Sequence, residues 1–314
     1  MSGRVCVFGP SPLLTVAVER EGDEERIHLH AGGQGVWVAR MIRELGAEPR
    51  LVGGFGGETG QVARLLAETE ELGVEAVELA QSSSAYVHDR RGGERRVVAE
   101  ARYPTFDRHE LDALYSATLA VALDAGVCVL TGVPAADVLP VDTYRRLAGD
   151  LRANGVTVVA DLSGEQLDAA LQGGIASLKV SHEELHADGV VADADDLDAL
   201  LGAARQLRGA GANEVVISRA AEPTIASIGD ELRLVSAPVM EVVDHRGAGD
   251  SMTAALAVAA TRGLGREDAV RLAVAAGQLN VTHHGFATGH DEAIRQLALR
   301  VELADPSGNG SARV

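Results

Sequence analysis

The run Asp244-His245-Arg246-Gly247-Ala248-Gly249-Asp250 holds the densest chemistry in this chain. A β-favouring stretch at 232–235 precedes it, and a small-residue helical pattern at 251–261 follows. Two glycines therefore sit at the mouth of a helix, where unpaired backbone N–H groups and the helix dipole attract phosphate. Gly247 and Gly249 let the backbone approach an anion with no Cβ in the way. Asp250 would repel the ligand of a pure anion site. It suits a site that must also take a proton from a hydroxyl as that hydroxyl attacks phosphorus, which is phosphoryl transfer. The plainer account of the same residues is a helix start, with Asp250 as a capping residue and the glycines as a turn.

The elements that must position these residues are visible as alternating patterns. β-favouring runs at 5–8, 50–53, 127–131, 156–160, 177–180 and 214–218 alternate with helical stretches at 35–45, 61–72, 108–123, 143–154 and 197–208. Such alternation implies an α/β fold, a mainly parallel sheet with helices on both faces. Ligands in such sheets gather beyond the carboxyl ends of the strands. Segments 15–29 and 85–101 break the alternation, each reading as two polar-faced strands about a charged turn. Together they are expected to form a small antiparallel sheet, a β lid, over a single domain spanning 1–304. The polar, Gly/Ser-rich stretch 305–314 reads as a disordered tail.

Four other places fit around Asp250. A glycine cluster at 31–40 opens a helix, and residues 53–60 (GGFGGETG) form a second glycine-rich strand-to-helix turn. Residues 178–185 end a strand with Lys179, the one lysine of the chain, followed by Ser181 and Glu184. Residues 161–164 (DLSG) end another strand. In this order and spacing the set resembles the PfkB/ribokinase family of carbohydrate kinases, closest to the phosphofructokinase and tagatose-phosphate kinase branch. The resemblance covers roughly Val5 to Leu303. The family's Asp-Thr-x-Gly-Ala-Gly-Asp signature is matched except that His245 replaces the threonine. Its Gly-Gly-Lys-Gly-x-Asn-Val-Ala signature is matched at Gly32, Gly33, Gly35, Val38 and Ala39.

The resemblance implies a ribokinase-like fold and an Mg²⁺- and ATP-dependent kinase acting on a hydroxyl of a sugar or sugar phosphate. Asp250 would be the general base, and Gly247, Ala248 and Gly249 the anion hole. Glu184 would organise Mg²⁺. Lys179, Ser181 and Ser218 would lie near the nucleotide, and Gly32, Gly33, Gln34 and Trp37 near the acceptor. In many members the lid also makes the dimer contact, so a homodimer through the lid is a further expectation.

Departures from the family pattern cluster on the acceptor side. The aspartate of Asn-Pro-x-x-Asp is Leu13, the signature lysine is Gln34, and the asparagine that meets sugar hydroxyls is Trp37. The Thr-Arg-x-Asn pattern is missing around 83–87, and Ser181 replaces the asparagine of Asn-x-x-Glu. The Ser-x-Gly-x-x-Gly turn reads Ser218-Arg219-Ala220-Ala221-Glu222-Pro223. A pocket without its carboxylate cannot grip a polyol as the family does. Trp37 could stack on a flatter acceptor, or simply fill core. Arg90, Arg91, Arg95 and Arg96 could supply phosphate contacts, or be a solvated hairpin tip. Two other readings follow: a non-catalytic ligand-binding or regulatory relative, and a kinase for a nucleoside-like acceptor.

Composition narrows the field further. At 46% hydrophobic but 3% aromatic, the core must be built from Ala, Val and Leu. A net charge of −18 argues against a nucleic-acid partner, while a local nest of N–H groups can still hold ATP. Cys6 and Cys128 lie in separate apolar runs and read as buried thiols of a reducing compartment. No stretch approaches the ~18 apolar residues of a membrane span, so a cytoplasmic protein without a membrane partner is expected. No Cys/His set has zinc spacing, and no Walker A or Gly-x-Gly-x-x-Gly run is present.

Overall fold

Every residue from 127 to 131 is buried, and alternate ones face opposite ways. Val127 and Val129 join one hydrophobic core, Cys128 and Leu130 another. A strand has period two, so a run that is apolar at every position needs helices on both of its faces. The computed structural model describes residues 3–92, 95–283, 285 and 287–306. Most of the tail expected at 305–314 lies outside these residues.

In chain order the elements begin with β1 (Arg4–Phe8), β2 (Leu13–Glu21), β3 (Glu24–Gly32), α1 (Gln34–Glu44), β4 (Glu48–Gly56), α2 (Gly57–Thr69) and β5 (Glu75–Leu79). Next come β6 (Ala85–Asp89), β7 (Arg96–Glu100), α3 (Arg108–Ala125), β8 (Val127–Thr131), α4 (Asp142–Ala153), β9 (Thr157–Asp161) and α5 (Gly164–Gly173). Then follow β10 (Ile175–Ser181), α6 (His182–Ala187), α7 (Leu197–Ala210), β11 (Ala212–Arg219), β12 (Glu222–Ile228) and β13 (Glu231–Ser236). The chain continues through α8 (Ala248–Thr261), α9 (Arg266–Asn280), α10 (Asp291–Ala298) and β14 (Glu302–Ala304).

Ten strands form the main sheet in the order β14-β13-β12-β11-β10-β9-β8-β1-β4-β5. From β11 to β5 every neighbouring pair is parallel; β12, β13 and β14 add an antiparallel edge. One core lies under α3, α4, α5 and α7, the other under α1, α8, α9 and α10. Phe8 and Tyr144 are the bulkiest aromatics of the first, set edge to face at 5.9 Å. α8 is buried from Ser251 to Ala259 and packs its small residues against α1 and α9. A helix apolar on all sides belongs inside the molecule. It starts three residues before the 251–261 pattern, so Asp250 lies within its first turn.

The two segments that break the alternation form a second sheet, ordered β3-β2-β6-β7. Each hairpin is antiparallel, but they join through a parallel pair, β2 with β6, which corrects the expected all-antiparallel arrangement. The reason is connectivity: β2 follows β1 and β6 follows β5, parallel strands of the main sheet, so both leave it from the same, carboxyl end. No helix of the described residues is long and apolar enough to cross a membrane.

Candidate functional site

The carboxyl ends of β9, β10 and β11 converge on the amino end of α8. β9 ends at Asp161, which is buried, and β10 carries Lys179, only 6% exposed. Lys179 Nζ lies 3.4 Å from Asp161 Oδ1, and Thr253 Oγ1 of α8 donates to Asp161 Oδ2 at 2.7 Å. Lys179 rests over the first turn of α8: a Cβ on Gly249 would fall 2.4 Å from Nζ. Gly249 is therefore a glycine for reasons of space. Gly247 is one for reasons of conformation, since it caps α8 at φ 78°, in the left-handed region.

Three carboxylates crowd this one ammonium. Burial raises the Asp161 pKa, with Lys179 opposing and Glu184 adding to the rise. Burial works against the Lys179 charge, yet attraction to Asp161, Glu184 and Asp250 leaves its pKa raised. Asp250 is pushed up to about 7, first by burial and then by Asp161; Lys179 opposes and Glu184 adds. Like charges sharing one site push a carboxylate pKa upward.

Two cavities flank this cluster. One of about 410 Å³ faces the second sheet and is lined by Leu13, Gln34, Trp37, Arg95, Asp161 and Glu184. One of about 500 Å³ lies on the other side, lined by Lys179, Ser181, Ser218, His245, Ala248 and Gly249. Asp250 is within electrostatic reach of Asp161 and Glu184, which line the first cavity, and of Lys179, which lines the second. The structure thus brings together Asp250, Gly247, Ala248, Gly249, Lys179, Ser181, Ser218 and Glu184. Gly33 caps α1 at φ 103° beside Ser11, while Gly32 borders an adjoining cavity of about 620 Å³.

Several residues have uses the sequence left open. Ser181 and Glu184 form a reciprocal capping box on α6, with Glu184 Oε2 accepting from Ser181 N and Oγ at 2.7 Å each. Serine in place of asparagine therefore keeps the cap, and it engages one oxygen of Glu184. Gln34 is largely committed to backbone: Oε1 accepts from Gly132 N at 2.9 Å, and Nε2 donates to Asp161 O at 3.4 Å. Trp37 is half-buried, packing on the core while also lining the 410 Å³ cavity. Of the four arginines, Arg90 pairs with Glu19, Arg91 with Asp89 and Glu25, and Arg96 with Asp89. Arg95 alone of the four has no carboxylate partner among the described residues. It meets the His88 ring and lines the cavities on both sides of Trp37.

Asp161 is the residue the sequence reading missed. It was visible only as the end of a strand, and a carboxylate at the carboxyl end of a parallel strand was the available signal. Asn280 is a second. Its Nδ2 donates to Arg246 O at 2.7 Å and its Oδ1 accepts from Thr288 N at 3.2 Å, tying α9 to the turn ahead of α8.

A glycine turn at a half-buried helix mouth, beside two clefts at the carboxyl ends of a mainly parallel sheet, is where an α/β fold places a small-molecule site. The chain belongs to the pfkB family of carbohydrate kinases, whose sequence profile matches residues 5–293. It is 25% identical over 275 residues to 1-phosphofructokinase of Bacillus subtilis (strain 168), covering 87% of this chain and 88% of that protein. It is 27% identical over 267 residues to ATP-dependent 6-phosphofructokinase isozyme 2 of Escherichia coli (strain K12), covering 83% and 85%. The crystal structure of phosphofructokinase-2 from Escherichia coli in complex with potassium superposes with a TM-score of 0.82 at 24% identity, covering 95% and 98%.

Proposed function

We propose that this chain is an Mg-ATP-dependent kinase that phosphorylates a hydroxyl of a sugar phosphate, with Asp250 as general base. The observation that carries the reading is Asp250 itself: a carboxylate in the first turn of α8, grouped with Asp161, Glu184 and Lys179 of the two cavity walls, with a pKa lifted to about 7. A general base works best when its pKa lies near the working pH. The 500 Å³ cavity suits the nucleotide, because Lys179 and the start of α8 at Ala248 and Gly249 border it. The 410 Å³ cavity suits the acceptor. The names of the two relatives support ATP as donor and a phosphorylated sugar as acceptor.

In this reading Asp250 removes the proton from the acceptor hydroxyl as its oxygen attacks the γ-phosphorus and the bond to the β,γ-bridging oxygen breaks. Backbone N–H groups of Ala248 and Gly249 and the dipole of α8 hold charge on the transferring group. Glu184 would supply an oxygen ligand of the kind Mg²⁺ prefers, an ion that keeps several waters and needs only one or two carboxylates. Bound there, Mg²⁺ would neutralise charge on the phosphates. Arg95 replaces the missing signature lysine as the cation for the acceptor's own phosphate. The β2–β3 and β6–β7 hairpins serve as the lid, and a pair of chains joins through it.

The test is ADP release with Mg-ATP across hexoses, pentoses, their monophosphates and nucleosides. Turnover is expected with a sugar monophosphate, falling about 10² to 10⁴-fold in Asp250→Asn. Turnover that survives in the variant would overturn the mechanism, and a preference for nucleosides would overturn the acceptor.

A further inference from the structure

Two lysine or arginine side chains are buried among the described residues, Lys179 and Arg219. Lys179 has Asp161 as its counter-charge. Arg219 has no carboxylate within ion-pair distance among the described residues. Its Nη1 donates to Pro223 O at 3.4 Å, and its Nε, screened from solvent, has no partner among them. This is anomalous in a chain where acids outnumber Lys and Arg by 46 to 28. A guanidinium is seldom taken out of water without a counter-charge, because its hydration is lost and nothing replaces it.

Arg219 is the last residue of β11, next to Ser218, and it lines the 500 Å³ cavity with Lys179, His182, His245 and Gly249. Glu183 and Glu222 border the same cavity, but both are exposed and neither pairs with Arg219. The turn that follows is unusual in a related way. Ala220 sits at φ 48°, a left-handed conformation that favours glycine, so the turn keeps a glycine-type shape without the glycine. Pro223 has no N–H to offer a ligand. A turn that could have presented backbone donors has instead an arginine facing the cleft.

We infer that Arg219 is a nucleotide-binding residue whose guanidinium meets the polyphosphate of a nucleoside triphosphate, in place of the backbone donor lost at Pro223. The inference rests on the nucleotide reading of this cavity. The ligand is anionic, must reach between β11 and α8, and brings the counter-charge that Arg219 lacks. Arginine suits it because its planar donors can bridge two phosphate oxygens. Lys179, held by Asp161, remains for the phosphate nearest Gly249.

The experiment is calorimetric titration of the full chain with ATP, ADP, AMP and adenosine, for wild type, Arg219→Ala and Arg219→Lys, with thermal unfolding of each unliganded protein. Arg219→Ala is expected to lose about 10- to 100-fold in affinity for ATP and ADP while binding adenosine as before. Arg219→Lys is expected to recover part of the loss. Equal losses for ATP and adenosine, or unchanged ATP affinity with a lowered unfolding temperature, would make Arg219 a prop of the β11–β12 hairpin and overturn the inference alone. Failure of the wild type to bind any of the four would overturn the nucleotide reading and Arg219 with it.

Discussion

At Asp250, the burial that suits the carboxylate to proton transfer works against the folded state. Its folded pKa, about 7, lies well above the ordinary carboxylate value of 3.8. The folded chain therefore binds a proton more tightly than the unfolded one, so this group stabilises the fold at acid pH and the contribution is lost as pH rises through 7. Asp250→Asn removes that loss. Its unfolding temperature at pH 8 should exceed wild type by about 2–6 °C, and the gap should narrow by pH 5 and close only below the unfolded carboxylate value of 3.8. Scanning calorimetry at both pH values checks this, and equal temperatures at pH 8 would show that Asp250 carries no such strain. Activity has the opposite sign: log kcat/KM should climb with pH to a plateau above about 7, because only the ionised carboxylate accepts a proton. Gly247, Gly249 and Lys179 were legible because the signature is local. The ion pair was not, because Asp161 lies 18 residues from Lys179 and 92 from Thr253. Spacing along the chain says nothing about such partners. The same holds for Gln34, whose bonds reach 98 and 127 residues away.

The first turn of α8 works as a platform on which Lys179 rests, and a single methyl group separates that role from the helix's own stability. Gly249→Ala improves helix propensity and adds no left-handed strain, but its Cβ displaces the end of a flexible side chain, Lys179 Nζ. Fold stability should change by less than about 1 kcal/mol, because the ammonium can swing aside. Turnover should fall at least about tenfold, because the ammonium, still beside Asp161, is displaced from the anion hole. Urea unfolding beside steady-state kinetics separates the two; a variant that loses stability and activity in proportion would refute the platform. Element boundaries were legible where apolar runs were continuous, as at 127–131, which matched to the residue. α9, β12 and β14 were left unassigned, while β13 showed as the β-favouring stretch at 232–235. α9 is rich in alanine and buries most of its circumference against α8, so it has little amphipathic contrast to read. β14, three residues long, is shorter than any pattern.

For the whole molecule, the alternation of strands and helices carried the architecture, and the broken alternation at 15–29 and 85–101 carried the second sheet. The pairing of β2 with β6 was not legible, since registers between distant strands leave no local mark. In that sheet Ile27 is 66% and Leu29 44% exposed, alternating with His28 and His30 along β3. Such apolar exposure fits a covered surface. If chains pair through the lid, Ile27→Asp should shift the mass measured by light scattering from dimer toward monomer and raise KM for the acceptor. An unchanged mass would remove the lid from the contact.

The far border of the main sheet has a practical meaning. β14 covers only Leu234, Val235 and Ser236 of β13. Without it, β13 would present a row of open N–H and C=O groups, an invitation for one copy to stitch onto the next and aggregate. A few residues near the carboxyl end thus act as a selvedge on the fabric. A shortened chain, or a reporter fused to it, belongs after residue 306 rather than before Glu302.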